Sequence, residues 1–177
     1  AVDEINALGG TQLELKFEDD ESDAEKSVNA YNSLKDWGMQ VVLGSVTTQP
    51  WIAVSSESNS DRIFEITPSA SSLDVVNGKD NVFQVCFTDP NQGTASAQYI
   101  SEHSLATKIA VIYKNDDAYS TGIYNTFKAE AEKLGLSIVY TGTFTTATEN
   151  DFSVQLGEAK SAGADLVFLP IYFTPAA

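Results

Sequence analysis

Four times along this chain a helix-patterned stretch runs into a glycine and then into an apolar run. The junctions are Ala7-Leu-Gly-Gly10 before Leu13–Phe17, Asp36-Trp-Gly38 before Gln40–Leu43, Leu134-Gly135 before Ser137–Tyr140, and Ala162-Gly163 before Asp165–Leu169. Glycine suits the left-handed residue that closes a helix. Strands alternating with helices of this length imply parallel pairing through crossover helices. Val41–Leu43, Ile109–Ile112 and Leu166–Leu169 are continuous apolar runs, as expected of strands covered on both faces. Two further strands are expected at Arg62–Ile66 and Asn81–Phe87. The fold class is α/β, with a mostly parallel sheet.

The helices carry their own start signals. Ser22-Asp-Ala-Glu25 has the form of a capping box, ahead of an apolar stripe at Ala24, Val28, Tyr31 and Leu34. Further helices are expected over Pro50–Ser58, Asn91–His103, Tyr119–Leu134 and Asp151–Ala162. Val2, Ile5 and Leu8 recur at helical spacing at the very start, which reads as a helix whose lead-in lies outside the chain. A boundary falls near Thr88-Asp-Pro90, dividing residues 1–88 from residues 89–177. Each half is small for an independent core, so the 177 residues read as adjoining parts of two lobes.

Charge narrows the function. Ten basic side chains stand against 25 acidic ones, a net charge of −15, which argues against nucleic-acid binding. No apolar run approaches the ~20 residues that cross a bilayer. Arg62 is the only arginine, so an anionic ligand group must be held by lysine, hydroxyls or backbone amides. The single cysteine, Cys86, ends an apolar run and is expected to be a buried thiol; the single histidine, His103, is expected at the surface. No dinucleotide fingerprint, phosphate loop or nucleophile elbow occurs, and no cofactor is implied. The acid run Glu18-Asp-Asp-Glu-Ser-Asp23 lacks the glycine and glutamate of a calcium loop and reads as a solvated patch at a helix start.

In open parallel α/β sheets the ligand crevice lies at the carboxyl ends of the strands. The loops there read Glu18-Asp-Asp20, Gly44-Ser-Val-Thr-Thr-Gln49, Thr67-Pro-Ser-Ala-Ser-Ser72, Asn115-Asp-Asp-Ala-Tyr119 and Ile171-Tyr-Phe173. The second and third are rich in hydroxyls and open helices or turns. Free amides and hydroxyls at such a place can hold a carboxylate without arginine; the same residues also serve as plain caps. Tyr119 and Tyr172 offer flat faces from the second half, able to cover a small ligand or its ammonium group.

The order of these segments resembles the periplasmic Leu/Ile/Val-binding protein family, the solute receptors of branched-chain amino-acid ABC importers. The likeness runs through Ala1–Gly10, Leu15–Asp20, Val41-Val-Leu-Gly-Ser45, Ile66-Thr-Pro-Ser-Ala-Ser71 and Asp89-Pro-Asn-Gln-Gly93. It continues through Ile109–Ile112, Tyr119-Ser-Thr-Gly122, Asp151-Phe-Ser153 and Gly163-Ala-Asp165. The resemblance implies a periplasmic-binding-protein-like fold with two parallel-sheet α/β lobes, both incomplete here, closing over an α-amino acid by hinge motion. The family's first strand, which lies between Leu13–Phe17 and Val41–Leu43, and its C-terminal portion would lie outside this chain.

By position, the resemblance makes Thr48 the hydroxyl that grips the carboxylate, Ser69 the residue whose carbonyl receives the ammonium, and Ser71 a further contact. Thr47 and Ala70 stand beside them in the same loops, and Tyr119 and Tyr172 match aromatic contacts of the second lobe. Serine at 45 replaces the usual proline and threonine at 48 the usual serine, which leaves the identity of the amino acid open. The implied partners are an amino acid and an ABC permease complex. The implied location is extracytoplasmic, with membrane contact only through a lipid anchor outside the chain. With its pocket incomplete, the isolated chain is expected to bind amino acids weakly or not at all, and its open sheet edges favour non-native self-association. A sensory ectodomain on the same fold is the second reading. A receiver-like enzyme using Asp19 or Asp20 with Lys114 is the third.

Overall fold

Parallel pairing is what the computed structural model of residues 1–177 shows, in two separate three-stranded sheets. The first sheet orders β1 (Val41–Leu43), β2 (Phe64–Thr67) and β3 (Val82–Gln84), with β2 in the middle. The second places β4 (Lys108–Lys114) between β5 (Ser137–Phe144) and β6 (Leu166–Phe168). Every strand pair in both sheets is parallel. The helices are α1 (Val2–Ala7), α2 (Ala24–Trp37), α3 (Thr48–Asp61), α4 (Asp89–Glu102), α5 (Ala118–Lys133), α6 (Ser153–Ser161) and α7 (Phe173–Ala176). None is long and apolar enough to cross a membrane.

Each sheet carries its own core. In the first, Trp51 and Val54 of α3 pack with Tyr31 of α2, Ala70, Val75 and Val82. In the second, Ile109 and Val111 of β4 pack with Ala97 and Ile100 of α4 and with Phe127 and Ala131 of α5. Helices α4 and α5 cross closely because Gly93 has no side chain: a Cβ there would lie 2.4 Å from the Ile123 carbonyl oxygen and 2.7 Å from the Phe127 nitrogen.

Several expectations need correction. Leu13–Phe17 forms no strand: it has no ladder neighbour, and Asn6 merely ties Leu13 to α1 through two 2.8 Å hydrogen bonds. The α1 stripe faces no core; Leu8 is 86% exposed. Helix α2 is capped by Asp23, whose carboxylate accepts the Lys26 amide at 2.9 Å, while Ser22 sits one residue early at φ 56°. The run Val41–Leu43 is covered on one face only. Val41, Leu43, Phe64 and Phe83 stand exposed on the other, with the two phenylalanine rings stacked 5.2 Å apart. Strand β6 is also only partly covered, whereas Ile109–Ile112 in the central β4 is buried throughout. Cys86 is half-buried, since it follows an edge strand. His103 caps α4 at the surface, its ring 4.2 Å from that of Tyr99.

Candidate ligand-binding site

The strand order brings the carboxyl ends of β1 and β2 to face those of β4 and β6. From the first sheet come the loop 44–47, which enters α3, and the loop 68–72. From the second come the start of α5 and the segment after β6. Together they enclose a cavity of about 300 Å³ lined by Val46, Thr47, Ser69, Ser71, Phe87, Gln92, Tyr119 and Tyr172. None of these eight is charged, so the cavity presents hydroxyls, an amide, backbone and aromatic faces.

Thr67 builds the wall behind it. Its hydroxyl donates to the Ser45 carbonyl at 3.0 Å and accepts the amides of Ser69 and Ala70 at 3.2 and 3.0 Å. That arrangement holds the two hydroxyl loops side by side. Thr48 reinforces it: buried at 1% exposure, it accepts the Ser71 amide on its own hydroxyl at 3.3 Å. Its amide, at the start of α3, points across the cleft to the Tyr172 hydroxyl at 3.4 Å.

The structure therefore separates the residues that the sequence grouped. Thr47, Ser69, Ser71, Tyr119 and Tyr172 line one cavity. Thr48 lies behind that lining, its hydroxyl accepting the Ser71 amide while its side chain also stands beside the Tyr172 phenol. Ala70 is buried, and its carbonyl accepts the Gln84 side chain at 3.2 Å. Thr47 is the freer hydroxyl, because Thr47 Oγ1 is buried without a hydrogen-bond partner.

The tyrosines form a stacked pair, ring centres 4.7 Å apart and planes 18° from parallel. Burial raises the pKa of both phenols, so each stays a neutral hydroxyl. Ser120 fixes the loop under them. Its hydroxyl donates to the Pro170 carbonyl at 2.6 Å and accepts the Lys114 amide at 2.8 Å. This ties the end of β4, the start of α5 and the chain leaving β6 to one atom. On the far side of Tyr172 a polar cleft of about 500 Å³ holds Lys114, which pairs with Glu149 at 3.0 Å. Glu21 and Ser22 of the acid run line the same cleft, while Asp19 and Asp20 each accept a backbone amide on a carboxylate oxygen, from Glu21 and Ser22.

Four residues at the site lay outside the expected set: Val46, Phe87 and Gln92, which line the cavity, and Asp89 behind it. Gln92 lines the cavity and donates to the Tyr119 hydroxyl at 3.5 Å. Asp89, the first residue of α4, is 1% exposed and donates its amide to the Ser71 carbonyl at 3.0 Å. Thr88-Asp-Pro90 read as a boundary before a helix expected from Asn91, whereas α4 starts at Asp89 and buries that residue.

Comparison with known proteins agrees with this architecture. A Leu/Ile/Val-binding protein homologue of Brucella melitensis is 34% identical, matching 97% of this chain and 47% of its own length. The substrate-binding protein LivJ of Streptococcus pneumoniae, solved with isoleucine, superposes with a TM-score of 0.86 at 28% identity, over 97% of this chain and 49% of that one. A solute-binding protein of Rhodopseudomonas palustris, solved with 4-hydroxybenzoate, gives 0.88 at 21% identity, over 99% and 47%; that likeness is one of fold. The chain spans about half the length of the curated relatives it matches. The family described as periplasmic binding protein matches residues 1–177 throughout. This chain belongs to the periplasmic binding protein family.

Proposed function

We propose that the cavity is part of a receptor site for a free α-amino acid, with residues 1–88 and 89–177 acting as opposing lobes. The observation that carries this reading is the uncharged lining, with Thr47, Ser69 and Ser71 facing the stacked Tyr119 and Tyr172. A carboxylate at the start of α3 meets the Gln49 amide, the unpartnered Thr47 hydroxyl and the Thr48 amide in exchange for its long contact with Tyr172, which together replace an arginine. The lone Arg62 is elsewhere, paired with Asp80 at 2.6 Å. The tyrosines close over the ligand and exclude water, which strengthens each polar contact inside.

Binding without turnover fits the site, since the lining offers no nucleophile paired with a base. Family members are solute-binding proteins, and relatives are named for branched-chain amino acids. On that basis the whole protein serves an ABC importer outside the cytoplasm, handing the amino acid to a permease. Calorimetry on the complete translated product containing residues 1–177, against the standard amino acids, tests the reading. Stoichiometric binding of one or more amino acids is expected, with residues 1–177 alone binding far more weakly. Binding confined to ligands without an amino-acid head group would overturn it.

A further inference from the structure

Eight buried side-chain atoms in the chain lack a hydrogen-bond partner, and four of them gather at this one site. Two belong to residues lining the cavity, Thr47 Oγ1 and Gln92 Oε1; the other two are both carboxylate oxygens of Asp89. Three of the four are pure acceptors. The amide nitrogen of Gln92 already serves the Tyr119 hydroxyl, so Gln92 Oε1 is the end left over. A buried group of unpartnered acceptors calls for a donor, and the donor-rich end of an amino acid is its ammonium.

Asp89 is too deeply buried to touch a ligand directly. Ser71 and Tyr119, which do line the cavity, stand beside its carboxylate. On the opposite side α5 approaches through Gly122, where a Cβ would lie 3.1 Å from Asp89 Oδ2, so no side chain comes between. A hydroxyl has one proton to give and two lone pairs to offer. If its proton goes to Asp89, its lone pairs face the cavity.

We infer that Asp89 is a positioning residue for the ligand's ammonium group. Its carboxylate takes the Ser71 hydroxyl proton, so that Ser71 Oγ and Gln92 Oε1 accept from the ammonium, and its charge balances the cation from behind. This deepens the amino-acid reading above and rests on it. The other charged groups facing Asp89 are Asp117, ahead of α5, and Asp74, both of which add to the negative field. Burial is the main influence on its carboxyl, pushing it up to about 6, with the Ser71 side chain opposing. A bound cation favours the ionised form, so affinity should be full above that pH and decline below it.

The test measures calorimetric affinity for the tightest-binding standard amino acid and for the same molecule lacking its amino group. The complete product, its Asp89→Asn variant and its Ser71→Ala variant are compared from about pH 5 to 8. Asp89→Asn should weaken the amino acid roughly tenfold or more at the upper pH, and the deamino acid by no more than about twofold. Wild-type affinity for the amino acid should fall below pH 6, the Asn variant should be flat, and Ser71→Ala should repeat the ammonium-selective loss. The wild-type pH profile is informative even if a variant fails to fold. Equal weakening of both ligands, or a flat wild-type profile, overturns the Asp89 assignment and leaves the amino-acid reading intact. A wild-type protein that takes ammonium-free acids and no amino acid overturns both.

Discussion

The Tyr172 hydroxyl accepts the Thr48 amide proton at 3.4 Å, joining residues 124 positions apart in the chain. The contact is long for a hydrogen bond, and so is weak. It occupies the amide that a ligand carboxylate would take at the start of α3. Tyr172→Phe keeps the stack on Tyr119 and removes only the oxygen. It should change stability by less than about 1 kcal/mol and leave binding within a few-fold. Tyr172→Ala also removes the aromatic cover and should weaken binding by roughly tenfold or more. Thermal unfolding and calorimetry on both variants separate the two contributions; equal losses would show that the stack is unimportant.

Thr47 and Thr48 are adjacent in sequence and opposite in role. Thr47 Oγ1 has no partner and caps no helix amide, so Thr47→Val should alter stability by less than about 0.5 kcal/mol while lowering ligand affinity several-fold. Thr48→Val would strip the Ser71 amide of its acceptor inside the wall. An orphaned buried amide costs about 1–3 kcal/mol, which should lower Tm by roughly 3–10 °C in a chain of this size. If Thr47→Val proves the destabilising change, the division of labour is reversed.

The sequence carried the fold further than the site. Glycines such as Gly38 and Gly135 do close helices at positive φ, and α2 to α6 lie within a few residues of their expected places. Leu13–Phe17 misled because its pattern reports a wish for burial, whereas a strand exists only where a neighbour pairs with it. Ser22 misled because two cap patterns overlap by one residue and only backbone geometry selects Asp23. At the cavity, composition pointed to loops that do line it. It could not tell Thr47 from Thr48, because consecutive residues entering a helix point to different sides. Asp89 was invisible for a related reason: an acid at a helix start is ordinarily solvated.

The α4–α5 crossing depends on Gly93. A methyl group there would lie 2.1 Å from Thr126 Oγ1, and the two backbone atoms of α5 behind it cannot rotate away. Gly93→Ala should therefore push the helices apart and cost about 3 kcal/mol or more. Because α4 carries Asp89 and Gln92 while Tyr119 lies in the first turn of α5, the same change should weaken ligand binding. Unfolding in denaturant measures the first effect and calorimetry the second. An unaltered midpoint would mean that the crossing tolerates the added volume.

Glu65, in the centre of β2, is wholly buried beneath α3, and neither of its carboxylate oxygens has a partner. Burial pushes its carboxyl up to about 7, with the Ser58 side chain and the more distant Lys79 charge opposing. The folded state therefore holds this proton more tightly than the unfolded chain, where a glutamate titrates near 4.3. Stability should be greatest, as far as this group is concerned, below that lower value, and should fall as pH rises through the interval to about 7. Ionising Glu65 in place costs about 3–4 kcal/mol by the size of that shift. Glu65→Gln removes the titration, so its stability should be flat across the same interval and should exceed that of the native chain at pH 8. Denaturant unfolding of both proteins between about pH 4.5 and 8 checks this. Parallel pH profiles would show that Glu65 is already ionised in the folded protein.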